Sequence, residues 1–124
     1  MIERIADMPP GTVGFRASGR VSADDYRSVL EPDLRHAAEA GEIRLVYVID
    51  SDLDMSMGAM TQDAKTGLGM AVGHHSAWKR MAVVTDVEWV DRAMHAFAWM
   101  VPGEFRTFPT SGLEGAKRWV GGKD

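Results

Sequence analysis

The stretch RMAVVTDVEWVDRAMHAFAWMV, residues 80–101, reads as one strand followed directly by one helix. Met81 to Val84 is a short apolar run, the pattern of a strand covered on both faces. Thr85 and Glu88 stand three apart, the spacing of a capping pair, so a helix begins there. Pro102-Gly103 ends it. A buried strand turning tightly into a helix is a unit of a parallel sheet, because parallel strands return only through a crossover.

The rest of the chain falls into the same pattern. Ile43 to Ile49 is a second buried-type strand. Asp50 to Asp54 is an acidic loop. Met57 to Val72 follows as a helix, with Met57, Met60, Ala64, Leu68 and Ala71 on one stripe. Gly67 and Gly69 weaken that helix by about 1 kcal/mol each relative to alanine, so loose packing is expected. Upstream, Met1–Asp7 and Val13–Arg20 read as a strand pair joined at Pro9-Pro10-Gly11. Ser22 and Asp25 cap a helix that runs to Gly41, and Pro32 predicts a kink or two abutting helices within it. Downstream, Phe105 to Phe108 is a last strand. Ser111 and Glu114 are read as the cap of a C-terminal helix through Val120, ended by Gly121-Gly122. The expected fold is α/β: a single mostly parallel five-stranded sheet with four flanking helices and one antiparallel edge. It forms a single domain over residues 1–124.

Composition narrows the chemistry. The chain has no cysteine, which excludes thiolate catalysis, disulfides and cysteine-bearing metal sites. Its net charge is −4, against the basic balance of a nucleic-acid binder. Residues 1–62 hold six basic and eleven acidic residues; residues 63–124 hold eight and seven. Lys79-Arg80 and Lys117-Arg118 are the basic pairs of the second half, read as solvated charges. The N-terminus lacks a signal-peptide pattern, and the longest apolar run, Ala96 to Val101, is far short of the ~20 residues that span a bilayer. A cytoplasmic protein, peripheral at the inner membrane face, is the expectation.

On a helical wheel, Val87, Val90, Met94, Phe97, Ala98 and Val101 share one side. Trp89, Ala93, Ala96 and Met100 extend the apolar arc to roughly 200°, about twice what a surface helix needs. Either the Met57–Val72 helix covers the excess, or the seam between the two helices is a lipophilic pocket or an exposed patch. Nine methionines favour an adaptable seam. The ligand-binding candidates are therefore Met57, Met60, Ala64, Asp86, Trp89, Ala93, Met94 and Phe97. Trp89, Trp99 and Met100 are the candidates for contact with a membrane or a partner.

Several stretches resemble one bacterial family, the SpoIIAA-like proteins. They are Ala64-Lys65-Thr66-Gly67-Leu68, Met81 through Val90, Pro102-Gly103-Glu104 with Phe105 to Phe108, and the opening Gly14-Phe15, Gly19, Ser22 to Tyr26 and Pro32. The resemblance spans the chain. It implies the α/β fold of STAS domains, related to Sec14-type lipid-binding domains, and hands over no activity. In anti-sigma-factor antagonists of that class, a serine after the third strand is phosphorylated. Ser56 and Ser51 are the nearest matches, although Asp54-Met55-Ser56-Met57-Gly58 departs from the usual pattern.

No residue set declares catalysis. His74-His75 reads as a solvated or capping loop rather than a metal site. Asp63 and Lys65 lie two apart and do not face each other on a helix. Gly67-x-Gly69 lacks the strand and third glycine of a dinucleotide site. Asp86 ends a strand and starts a helix, which suits either a ligand group or a dipole-matching cap. The leading expectation is a non-catalytic module for a lipid or other apolar ligand, with peripheral membrane association. The alternative is a STAS-type protein–protein regulator, including a homodimer that hides the apolar face. No cofactor, metal or nucleic-acid partner is expected.

Overall fold

A computed structural model describes residues 1–53, 77–97 and 103–122. Five strands form one sheet in sequence order: β1 (Ile2–Arg4), β2 (Val13–Ala17), β3 (Ile43–Ile49), β4 (Trp78–Val84) and β5 (Glu104–Phe108). β1 pairs antiparallel with β2, and every later neighbour is parallel. The expected mixed sheet with one antiparallel edge is therefore present. The helical runs among the described residues are α1 (Ala23–Asp25) continuing into α2 (Glu31–Glu39), α3 (Glu88–Phe97) and α4 (Leu113–Val120). The expected Met57–Val72 helix, fourth of the set, lies outside the described residues.

The alternation of the strands builds two cores. Phe15, Ala17, Ile43, Leu45, Ile49 and Val83 face one side, where Leu30 and Leu34 from the first helical run and Val90 from α3 cover them. Val46, Val48, Ala82 and Val84 face the other, beneath Ala116, Trp119 and Val120 of α4. β3 is thus covered on both faces, as its unbroken apolar run requires.

Local chemistry explains the element ends. Ser22 and Asp25 form a reciprocal cap: the Asp25 amide donates to Ser22 Oγ (3.2 Å), and the Ser22 amide donates to the Asp25 carboxylate (2.8 Å). Pro32 sits in the first turn of α2 and cannot supply a backbone donor. The preceding residues Tyr26–Leu30 widen into a π-helical turn, so the expected break takes that form.

Several expectations change: β2 ends at Ala17 rather than Arg20, and Arg80 and Lys117, read as solvated charges, are largely buried. β1 stops at Arg4 rather than Asp7, because Ile5 and Met8 leave the sheet to pack on the α4 side. β4 begins at Trp78, two residues before Arg80. Trp78 pairs with Ile43 and Arg80 with Arg44, leaving Lys79 as a bulge. Ser111 does not cap α4. A 3-10 turn over Thr110–Gly112 intervenes, and Gly112 takes the cap position without a side-chain bond.

Candidate functional site

The carboxyl ends of parallel strands are where an open α/β sheet presents ligand groups. Two acids stand there, Asp50 after β3 and Asp86 after β4. Asp50 accepts from Arg16 Nη1 at 2.8 Å, and its own amide donates to Ala17 O at 3.0 Å. Asp86 accepts from the Thr110 amide at 2.9 Å and from the Thr110 hydroxyl. Those two donors hold the Asp86 carboxyl below the usual carboxylate range. Asp50 is thereby tied to the neighbouring strand β2, and Asp86 to the turn that follows β5. The contact that Asp86 makes is a long-range link, distinct from both the ligand group and the helix cap read for it from the sequence. It links the β4–α3 turn to the approach to α4, while Thr85 Oγ1 accepts the Val87 amide (3.1 Å) at the start of α3.

α3 places its polar arc as the wheel requires. Glu88, Arg92 and His95 are exposed, and Val90 is buried against the sheet. His95 Nε2 lies 3.2 Å from Thr107 Oγ1, and its ring meets the Phe105 ring edge-on. Trp89, Ala93, Met94 and Phe97 lie on the backbone of α3, and their side chains lie outside the described set. Ser56, Met57, Met60, Ala64, Trp99 and Met100 also lie outside the described residues, as does His74-His75. Of the candidates, only Asp86 and Ser51 have described side chains, Ser51 lying exposed in the turn after β3. No group of three or more His, Asp or Glu side chains able to hold a metal ion occurs among the described residues. No described helix is long and apolar enough to cross a membrane.

On the same side of the sheet as α3, Trp78 is buried with its indole N–H lacking an acceptor among the described residues. An unmet buried donor is costly, at about 1–3 kcal/mol.

The other face carries a feature that the sequence did not single out. An open groove of about 540 Å³ lies between β5 and α4, walled by Arg80, Glu104, Arg106, Phe108, Arg118 and Trp119. The guanidinium carbons of Arg80 and Arg106 lie 5.0 and 5.1 Å from the centre of the Trp119 ring. Phe108 packs against the same ring, with 6.1 Å between centroids. Arg80 is fully engaged: Nη1 donates to Trp119 O (2.6 Å), and Nε pairs with Glu104 (3.0 Å). Arg44 donates to Val120 O at 2.8 Å. Two strands thus reach across to the last carbonyls of α4, which the helix cannot satisfy itself and whose dipole favours cations. The sequence signal was the Arg44, Arg80, Arg106 alternation on successive strands. Strand periodicity could put these side chains on one face, but it carries no sign that α4 ends above them.

This architecture is that of an α/β domain of the STAS type. A family model described as SpoIIAA-like matches residues 12–121, and the chain belongs to that family. A crystal structure of an uncharacterized protein from Shewanella loihica PV-4, of the DUF3478 family with a SpoIIAA-like fold, is similar to it. That match has 27% identity and a TM-score of 0.66, covering 96% of this chain and 93% of that one. No curated protein matches.

Proposed function

We propose that the chain is a non-catalytic STAS-type interaction domain, acting by docking a partner protein or a second copy of itself. The observation that carries this reading is the state of the strand ends. Asp50 and Asp86 stand where a reacting acid or base would be placed, and each already holds a partner, Asp50 the Arg16 side chain on β2 and Asp86 the turn at Thr110. A general acid or base needs a proton-transfer path to substrate and a matched pKa; the lowered pKa of Asp86 points the other way. Light scattering across a hundredfold range of protein concentration tests the self-association branch. A concentration-independent dimer supports it. For a monomer, co-elution with a protein partner is the supporting result, and turnover of a small molecule lost in Asp86→Asn would sink the reading.

Trp78 favours a second reading. Its unmet indole donor lies in the helix-covered core, on the side where α3 packs. A lipid or other apolar ligand with one polar end, lying in the seam expected from the sequence between residues 57–72 and 87–101, would meet that donor. Met57, Met60, Ala64, Trp89, Ala93, Met94 and Phe97 would then line the chain. Trp89, Trp99 and Met100 would touch a membrane surface. Tryptophan fluorescence during titration with oleate and with phosphatidylglycerol vesicles checks this. An unchanged spectrum with no co-sedimentation rules it out.

A further inference from the structure

The groove between β5 and α4 holds an excess of positive charge in a chain whose net charge is −4. Arg80 is neutralised by Glu104. Arg106 and Arg118 are exposed and make no ion pair among the described residues. Both border the same concavity, with Phe108 and the edge of Trp119 as its apolar floor. Arg106 is steadied over the Trp119 ring, so part of the entropy of fixing a long side chain is already lost. A planar guanidinium held in place is suited to a carboxylate, which it grips through two parallel N–H bonds.

The strand that walls the groove supplies a second element. β5 is the outermost strand. Phe108 O accepts from Thr85 N, on the β4 side. By strand alternation, the main-chain groups of Arg106 and Glu104 face β4, while those of Phe105 and Thr107 face away from it. A sheet edge of this kind adds an extended segment through main-chain bonds, and side-chain pockets beside it choose which one.

We propose that this groove docks an acidic, extended segment of a partner protein, with its carboxylates held by Arg106 and Arg118. Charge complementarity selects the occupant. The overall negative charge and Glu104 on the rim oppose a polyanion of continuous charge such as nucleic acid. A concave groove with two unpaired guanidiniums does not suit a flat membrane surface, which is bound by larger basic clusters. A segment with a few spaced carboxylates fits both the edge and the two arginines. The proposal rests on the interaction-domain reading and names the surface that reading would use.

The probe is a fluorescein-labelled twelve-residue peptide of alternating glutamate and serine, followed by anisotropy at physiological salt. The Nε–H signals of Arg106 and Arg118 are followed by NMR in parallel. Binding should shift both signals. The pair Arg106→Glu with Arg118→Glu should weaken binding at least tenfold, while Arg35→Glu on α2 should leave it within twofold. Should the charge-reversed pair fail to fold, Arg106→Gln with Arg118→Gln serves, since neither side chain makes a hydrogen bond that folding needs. Inorganic phosphate, an oligonucleotide and phosphatidylglycerol vesicles are the competing arms. Binding that survives the double substitution, or tighter binding to any competing arm, overturns the proposal. A chain that dimerises or holds a partner yet ignores the peptide overturns the groove alone and leaves the interaction-domain reading intact.

Discussion

Gly103 and Gly41 offer a matched pair. Both hold positive φ, +96° and +103°, where an L side chain is strained. Their surroundings differ. A Cβ on Gly41 would meet nothing within 4 Å, whereas one on Gly103 would lie 2.7 Å from Lys79 O and 2.8 Å from Trp78 O. Those carbonyls belong to the bulged start of β4, which is anchored by its pairing with β3. The strain common to both alanine variants is about 1–2 kcal/mol. Only Gly103→Ala adds a clash with backbone, and overpacking costs about 1–3 kcal/mol. Gly41→Ala should therefore lose about 1–2 kcal/mol and Gly103→Ala about 2–5 kcal/mol. Urea unfolding followed by far-UV circular dichroism measures both. With a slope of about 1.5 kcal/mol/M, the midpoint for Gly103→Ala should fall by about 1.3–3.3 M and lie about 0.7–2 M below that of Gly41→Ala. Equal losses would refute the close approach of Gly103 to the bulge, and with it the placement of β5 beside the start of β4.

Three further outcomes follow from the same geometry. Thr110 holds Asp86 ionised, so Asp86 stabilises the fold above its unfolded pKa of about 3.9, and that contribution is lost as pH falls through the lower folded value. Thermal midpoints from pH 6 down to pH 2 should show wild type ahead of Asp86→Asn at neutral pH, with the gap closing below about pH 4; a gap independent of pH would contradict this. Arg80→Met keeps the side-chain stem but loses the bond to Trp119 O and the ring contact, and should cost about 1.5–3 kcal/mol in calorimetry. Ser22→Ala removes one half of the α1 cap and should cost about 1 kcal/mol, read as a lowered thermal midpoint.

Asp86 shows how far residue patterns reach. The order strand, Thr-Asp, helix placed its carboxylate at a strand's carboxyl end, and both a ligand role and a structural role were consistent with that position. The contact that the fold supplies comes from Thr110, twenty-four residues away, which donates twice. Local patterning had no access to that contact. The Ser111 cap failed for a related reason: Asp86 holds the Thr110 amide, and the turn that follows is a 3-10 one, which moves the helix start to Leu113.

The sequence alone determined the alternation of buried strands and helices, the hairpin, the Ser22–Asp25 cap and the break near Pro32. All of these depend on residues within a few positions of one another, so propensity, capping chemistry and apolar period suffice. The absence of cysteine, likewise, removed whole classes of chemistry without any coordinates. Only the tertiary structure decided that Arg44 and Arg80 reach the end of α4, that Arg106 lies over Trp119, and that two guanidiniums are left facing one groove. Those contacts join β3, β4, β5 and α4 across as many as 76 positions. Their partners are fixed by how the sheet pairs and which face each helix covers, and neither is encoded in the spacing of any single segment.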